Sequence, residues 1–224
     1  MYKRQDLVFY DFETTGKEPH WDQILQVGAT KVSKEFNEID TFEFRSRLKP
    51  GLIPSPFALA VNNTDYAKLI KTECSHYEML RKIEDKFTKW SPSIFIGYNS
   101  INFDEEFLRN SLFRALLDPY LTSRNNNNRA DLLELLRTVD FFFPDTINIP
   151  VNNKNKKTFK LDQIAPANSI THFAHDALGD VIATKQLAKL ISQRKPTFWH
   201  SFLEGSNKSL VYNCLLYTSP SPRD

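Results

Sequence analysis

In the run FYDFETTG at residues 9–16, two acids, Asp11 and Glu13, stand two apart in an otherwise apolar stretch. Side chains of a strand alternate faces, so both carboxylates project from the same side. Burying them unpaired is costly, and a cation, a metal ion or exposure at a strand end must compensate. Asp104 follows the apolar run IFIGY and the turn NSINF, and Asp180 lies in AHDALGDV, five residues after His175. Four carboxylates converging on one sheet edge would offer hard oxygen donors suited to Mg²⁺ or Mn²⁺. Two such ions about 3.5–4 Å apart can clamp the attacking and departing oxygens of a phosphodiester. An imidazole with an ordinary pKa of about 6.5 can take the proton of an attacking water.

Each of these residues also has an ordinary structural reading. Asp11 and Glu13 alone would be strand-end acids. Asp104 suits the first turn of a helix, where the macrodipole favours negative charge. His175 could be a satisfied surface or core histidine. Asp176 and Asp180 are four apart and could both decorate a solvent face, and periodicity does not prefer one of them as a ligand.

The elements that must position these residues are legible in outline. Residues 6–12, 24–33 and 39–48 are rich in Val, Ile, Leu and Phe and predict three consecutive strands. Ser75 with Glu78 forms a capping box for a helix over 75–90, and Leu80, Ile83, Phe87 and Trp90 share its face. The run at 94–98 predicts a buried strand feeding a helix at 104–117, and 123–131 reads as a polar loop. DLLELLRTVDFFF predicts a further helix, residues 144–158 a long basic loop, and 175–193 a last strong helix. The order βββαβα followed by helices predicts one α/β domain over 1–210, a mixed sheet flanked by helices. From about Val211 the pattern has neither helical period nor strand alternation. Residues 211–224 resemble cloning-derived sequence, so the natural chain is expected to continue differently.

Composition narrows the setting. Lys and Arg number 29 against 27 acids, so no global basic field points to nucleic acid, although a local basic channel fits within that balance. The 2 cysteines, Cys74 and Cys214, make no disulfide framework, and a reducing, cytoplasmic setting is expected. No apolar run approaches the roughly 18 residues of a membrane span. The basic N-terminus leads into the first strand without a cleavage site. A monomer is expected, since no coiled-coil pattern appears.

DFETTG, GYNSINFDEEFLRN and AHDALGDVIAT resemble the three motifs of the DEDD superfamily of 3′→5′ exonucleases, in the DEDDh branch whose third motif holds His-x4-Asp. Within it, RADLLELLR, FKLDQIAPANSI and AHDALGDVIATKQLAKL are similar to bacterial exonuclease I, over about residues 6–210 in order. The resemblance implies a ribonuclease-H-like α/β fold and metal-dependent degradation of single-stranded DNA from its 3′ end. Position by position it implies Asp11, Glu13, Asp104 and Asp180 as ligands of two Mg²⁺ (or Mn²⁺) ions and His175 as general base. Thr14, Thr15 and Gly16 match the turn that approaches the 3′-terminal nucleotide, Gly allowing close backbone contact. Tyr98, Asn99 and Phe103 fall at supporting or substrate-binding positions, with Phe103 equally readable as core. Asp131 and Arg114 match family positions and are read as structural. Asn102 departs from the basic residue usual there. Phe57, Tyr66 and the basic loop around Lys154–Lys160 are further candidate contacts to the strand.

The resemblance also implies a single-strand-binding protein as partner, engaged through a C-terminal region absent from this chain, because exonuclease I continues into an SH3-like and a helical domain. Two other readings stand beside this one. An exonuclease acting on RNA or short oligonucleotides would share the same acids and histidine, and relative degradation of DNA and RNA strands separates it. A non-catalytic nucleic-acid-binding module on the same fold would show no specific coupling of metal to the acids.

Overall fold

The computed structural model describes residues 5–61, 65–171 and 176–218. Its centre is a five-stranded sheet in the order β3-β2-β1-β4-β5. The strands are β1 (Asp6–Thr14), β2 (Ile24–Val32), β3 (Glu38–Arg45), β4 (Ser93–Gly97) and β5 (Asn128–Asp131). β1 pairs antiparallel with β2, and β2 with β3, whereas β1 pairs parallel with β4, and β4 with β5. The expected mixed sheet is therefore present. β5 is an addition, since its sequence NRAD is too polar to signal a strand, and its ladder with β4 makes it one.

Helices cover both faces. α1 (Pro56–Val61), α2 (Tyr66–Leu69), α3 (His76–Trp90), α4 (Asp104–Arg114) and α5 (Leu132–Phe142) are followed by α6 (Leu161–Ala167), α7 (Ala177–Arg194), α8 (Pro196–Gly205) and α9 (Lys208–Thr218). The capping box of α3 is formed, with Ser75 accepting from the Glu78 amide and the Glu78 carboxylate reaching back to the Ser75 amide. α4 ends three residues before the sequence pattern suggests, and Leu116 just beyond it has φ 58°. α9 runs through Val211, where the sequence pattern gives no helix. Its Val211, Tyr212 and Leu215 are exposed, so no buried stripe marks it in the sequence. Among the described residues, no helix is long and apolar enough to cross a membrane.

Alternation along β1 builds two cores. Leu7 and Phe9 join residues of α5, α6, α7 and α8 on one face, and Val8, Tyr10 and Phe12 join α3 and α4 on the other. Burial of a side chain of this kind stabilises by roughly 1.5–3 kcal/mol. β1 is central in the sheet, so what its C-terminal end carries is held by both layers.

Candidate active site

Asp11 and Glu13 continue the face of Leu7 and Phe9 and so lie beneath α7. One carboxylate oxygen from each of Asp11, Glu13 and Asp180, the last on the first turn of α7, lies within 4.8 Å of the other two. The close seat of α7 has a cause in β2. Gly28 pairs directly with Asp11, and a Cβ at Gly28 would fall 2.6 Å from the Ala177 carbonyl carbon and the Leu178 nitrogen. The bare backbone at position 28 lets the first turn of α7 rest on the sheet beside Asp11.

Asp176 and Asp180, which periodicity does not separate, have different surroundings in the structure. Asp176 caps α7, accepting from the Gly179 amide at 3.2 Å, and also takes Gln26 Nε2 at 2.9 Å and the Arg45 guanidinium at 2.8 Å. Asp180, one turn on, faces Asp11 and Glu13. Asp104 opens α4 and is buried, with Oδ1 accepting from the Phe12 amide at 3.0 Å. It stands beside the three gathered acids rather than among them, and it is the neighbouring charge that acts most strongly on Asp11.

The electrostatics follow from burial. Desolvation, then the charges of Asp104, Asp180 and Glu13, hold the Asp11 carboxyl well above the usual carboxylate range. Desolvation does the same to Asp104, against the Phe12 hydrogen bond. Glu13 is pushed up to about 7 by burial and by Asp180 and Asp176, with Arg45 opposing. Burial thus disfavours ionisation of the cluster unless positive charge enters. Clustered hard oxygen donors with raised pKa values are the donor set that Mg²⁺ or Mn²⁺ takes, so the residues fit a divalent ion.

The turn after β1 is built on Asp22. Thr14 Oγ1 donates to the Gly16 carbonyl at 2.6 Å, and Thr15 Oγ1 donates to Asp22 Oδ1 at 2.9 Å while accepting from the Gln23 amide at 2.9 Å. A Cβ at Gly16 would sit 2.2 Å from Asp22 Oδ2, so a larger residue there would have to displace the carboxylate that the Thr15 hydroxyl and Glu18 amide hold. His175 lies outside the described residues. The Tyr98 hydroxyl donates to the Phe159 carbonyl at 2.5 Å and its ring packs on the core. Asn99 is exposed at φ 61°, its amide held by Asp131 at 2.9 Å. Phe103 is half-buried, its ring 4.8 Å from that of Phe107. Asp131 also caps α5 through the Leu133 amide, and Arg114 donates to the His20 and Asp22 carbonyls, so both act as braces.

Sequence reasoning missed Glu105. It is 6% exposed, next to Asp104, and accepts from the Tyr10 hydroxyl at 2.6 Å, the Thr122 hydroxyl at 2.7 Å and Arg129 at 2.9 Å. Tyr10 precedes Asp11 and Glu105 follows Asp104, so this bond ties the two acid-bearing segments from behind. No local signal distinguishes Glu105 from its neighbour Glu106.

The family model described as Exonuclease matches residues 8–188 of the chain. The chain belongs to this exonuclease family. Exodeoxyribonuclease I of Buchnera aphidicola subsp. Baizongia pistaciae is 34% identical to the exonuclease-family chain over 218 residues, 96% of this chain and 45% of the relative. Among solved structures, E. coli exonuclease I in complex with a dA16 oligonucleotide aligns with TM-score 0.87 and 30% identity, over 94% of this chain and 45% of that one. The zinc-ion-bound form of an E. coli exonuclease I–single-stranded DNA complex aligns with the same TM-score of 0.87 and 30% identity, over 94% and 45%. The fold is thus the ribonuclease-H-like exonuclease fold. The chain spans 45% of the length of the Buchnera relative and 44% of that of E. coli Exodeoxyribonuclease I.

Proposed function

We propose that the chain is a metal-dependent 3′→5′ exonuclease domain that hydrolyses single-stranded DNA to 5′-mononucleotides in DNA repair or recombination. The observation that carries this reading is the gathering of Asp11, Glu13 and Asp180 within 4.8 Å at the end of the central strand of an exonuclease-family chain. Asp11, Glu13 and Asp180, with Asp104 beside them, would hold two Mg²⁺ ions, with Mn²⁺ as the alternative. Bound there, the ions would supply Lewis-acid polarisation of the phosphodiester and neutralise charge on the attacking and departing oxygens. His175, immediately before the cap of α7, would take a proton from water as the oxygen–phosphorus bond forms and the bond to the 3′ oxygen breaks. The departing 3′ oxygen ends as a hydroxyl on the shortened strand. The turn of Thr14, Thr15 and Gly16, fixed by Asp22, would present a rigid backbone to the terminal nucleotide.

The test is 3′ trimming of a 5′-labelled single strand in Mg²⁺ and in EDTA, with His175→Ala and Asp11→Ala for comparison. Metal-dependent laddering lost in both variants is expected. A folded chain that binds the strand but never shortens it would overturn the reading in favour of a binding module. Faster loss of an RNA strand of the same sequence would overturn the DNA assignment alone.

A further inference from the structure

The chain has 3 tryptophans, Trp21, Trp90 and Trp199. Trp90 and Trp199 are 4% and 5% exposed, whereas Trp21 leaves 80% of its surface to solvent. An indole in water forgoes one of the largest apolar burials a side chain offers. The loop beneath it is tightly bonded. The Trp21 and Asp22 amides donate to the Glu18 carbonyl at 3.0 and 2.8 Å, and the Asp22 carboxylate accepts from the Glu18 amide at 2.9 Å and the Thr15 hydroxyl at 2.9 Å. The Arg114 guanidinium takes the carbonyls of His20 and Asp22, one on each side of Trp21. This loop leaves β1 after Thr14, next to Glu13, so Trp21 is presented from the sheet end that carries the acids.

The turn that carries Trp21 and the segments bonded to it mix rings with cations. Lys17 Nζ lies 5.7 Å from the centroid of Phe57, itself exposed. α1, which carries Phe57, is tied to the same turn where the Ser55 amide donates to the Thr15 carbonyl at 2.8 Å. Lys49 stands close enough to Arg114, and is buried enough, for its ammonium pKa to be lowered. Exposed rings interleaved with cations suit a single strand, whose bases stack while its phosphates meet positive charge.

We propose that Trp21 is a base-stacking residue for single-stranded nucleic acid, on a rigid platform braced by Arg114, with Lys17 and Phe57 beside it. This rests on the nuclease reading and adds to it a strand-binding subsite outside the acid cluster. A pre-fixed loop loses little freedom on binding, so stacking there contributes to affinity with small ordering cost. The platform binds bases by their faces, so the subsite tolerates any sequence.

Two titrations of the full chain with an oligothymidylate test this, in EDTA and, for the Asp11→Asn chain, in Mg²⁺. Anisotropy of a 5′-labelled strand reads affinity, and the emission of the chain with unlabelled strand reads Trp21, the two other indoles being buried. Saturable quenching is expected in the wild type. Trp21→Ala should bind about 10–100-fold more weakly, the usual cost of one lost stack, while Trp21→Phe retains most of the affinity and loses the quenching. In steady-state hydrolysis in Mg²⁺ by a chain that keeps Asp11, the Trp21→Ala loss should appear in KM rather than kcat. Unchanged affinity in Trp21→Ala, or saturation of the wild type without an emission change, would overturn the subsite and leave the nuclease reading standing. Absence of any strand binding by the wild type would overturn both.

Discussion

On one face of β1, the Glu105 carboxylate is buried with donors from Tyr10, Thr122 and Arg129 at 2.6, 2.7 and 2.9 Å. On the other, Asp11, Glu13 and Asp180 crowd within 4.8 Å, and among the described residues no lysine or arginine forms an ion pair with Asp11 or Glu13. Arg45, the cation that opposes the shift of Glu13, is itself bonded to Asp176. One strand thus shows both solutions to a buried acid. Where donors are supplied from within, the acid is structural. Where acids gather, burial and mutual charge raise the pKa values of Asp11 and Glu13, and a cation from outside would relieve both.

Four substitutions or titrations would break or sharpen this contrast. The largest effect is expected from Asp11→Asn, which should lower hydrolysis by more than the roughly 10–100-fold typical of removing a group behind a metal ligand. The same change should leave the metal-free melting temperature equal or higher, because it relieves repulsion, and calorimetry in EDTA checks this. A drop in that temperature would mean that Asp11 is structural after all. Arg129→Met should do the reverse, leaving a charge buried without its cation. Urea unfolding should show a loss of about 3 kcal/mol, the lower end for broken buried pairs.

The acid cluster carries a testable pH dependence. A carboxylate whose folded pKa is raised binds protons more tightly in the folded state. Its contribution is fully present below its unfolded value and is lost as pH rises through the folded one. For Glu13 the window runs from 4.5 to about 7. Metal-free stability should fall across it by at most about 3 kcal/mol, with Asp11 acting in the same direction, and saturating Mg²⁺ should remove or invert the slope. A flat metal-free profile would remove the electrostatic argument for a metal. Smallest is Tyr10→Phe, which takes one hydroxyl from Glu105 and should cost about 1.5 kcal/mol in equilibrium unfolding. Its hydrolysis rate should stay closer to wild type than that of any change in the acid cluster.

How much of this was legible in the sequence depended on how local each cause is. The alternation in FYDFETTG and the Ser75 box are local, and both read correctly. So did the mixed sheet, whose apolar strands announce themselves. β5 did not, because NRAD becomes a strand only through its ladder with β4. The different surroundings of Asp176 and Asp180 depend in part on Gln26 and Arg45, which are distant in sequence and bond Asp176. Glu105 was indistinct from Glu106 for the same reason, its three partners lying 95, 17 and 24 residues away. The family resemblance located Gly16, and the structure shows that any larger residue there would press on the Asp22 carboxylate.

β1 alone in this sheet joins an antiparallel neighbour to a parallel one, and it is buttressed by helices on both faces. Its amides should therefore be among the last to exchange with deuterium, opening only when the whole molecule does. Peripheral pieces such as α9, whose Val211, Tyr212 and Leu215 face solvent, can open without touching it. The acids would then disappear all at once with the global transition, so that heat should remove the site in a single step while the rim frays earlier and separately.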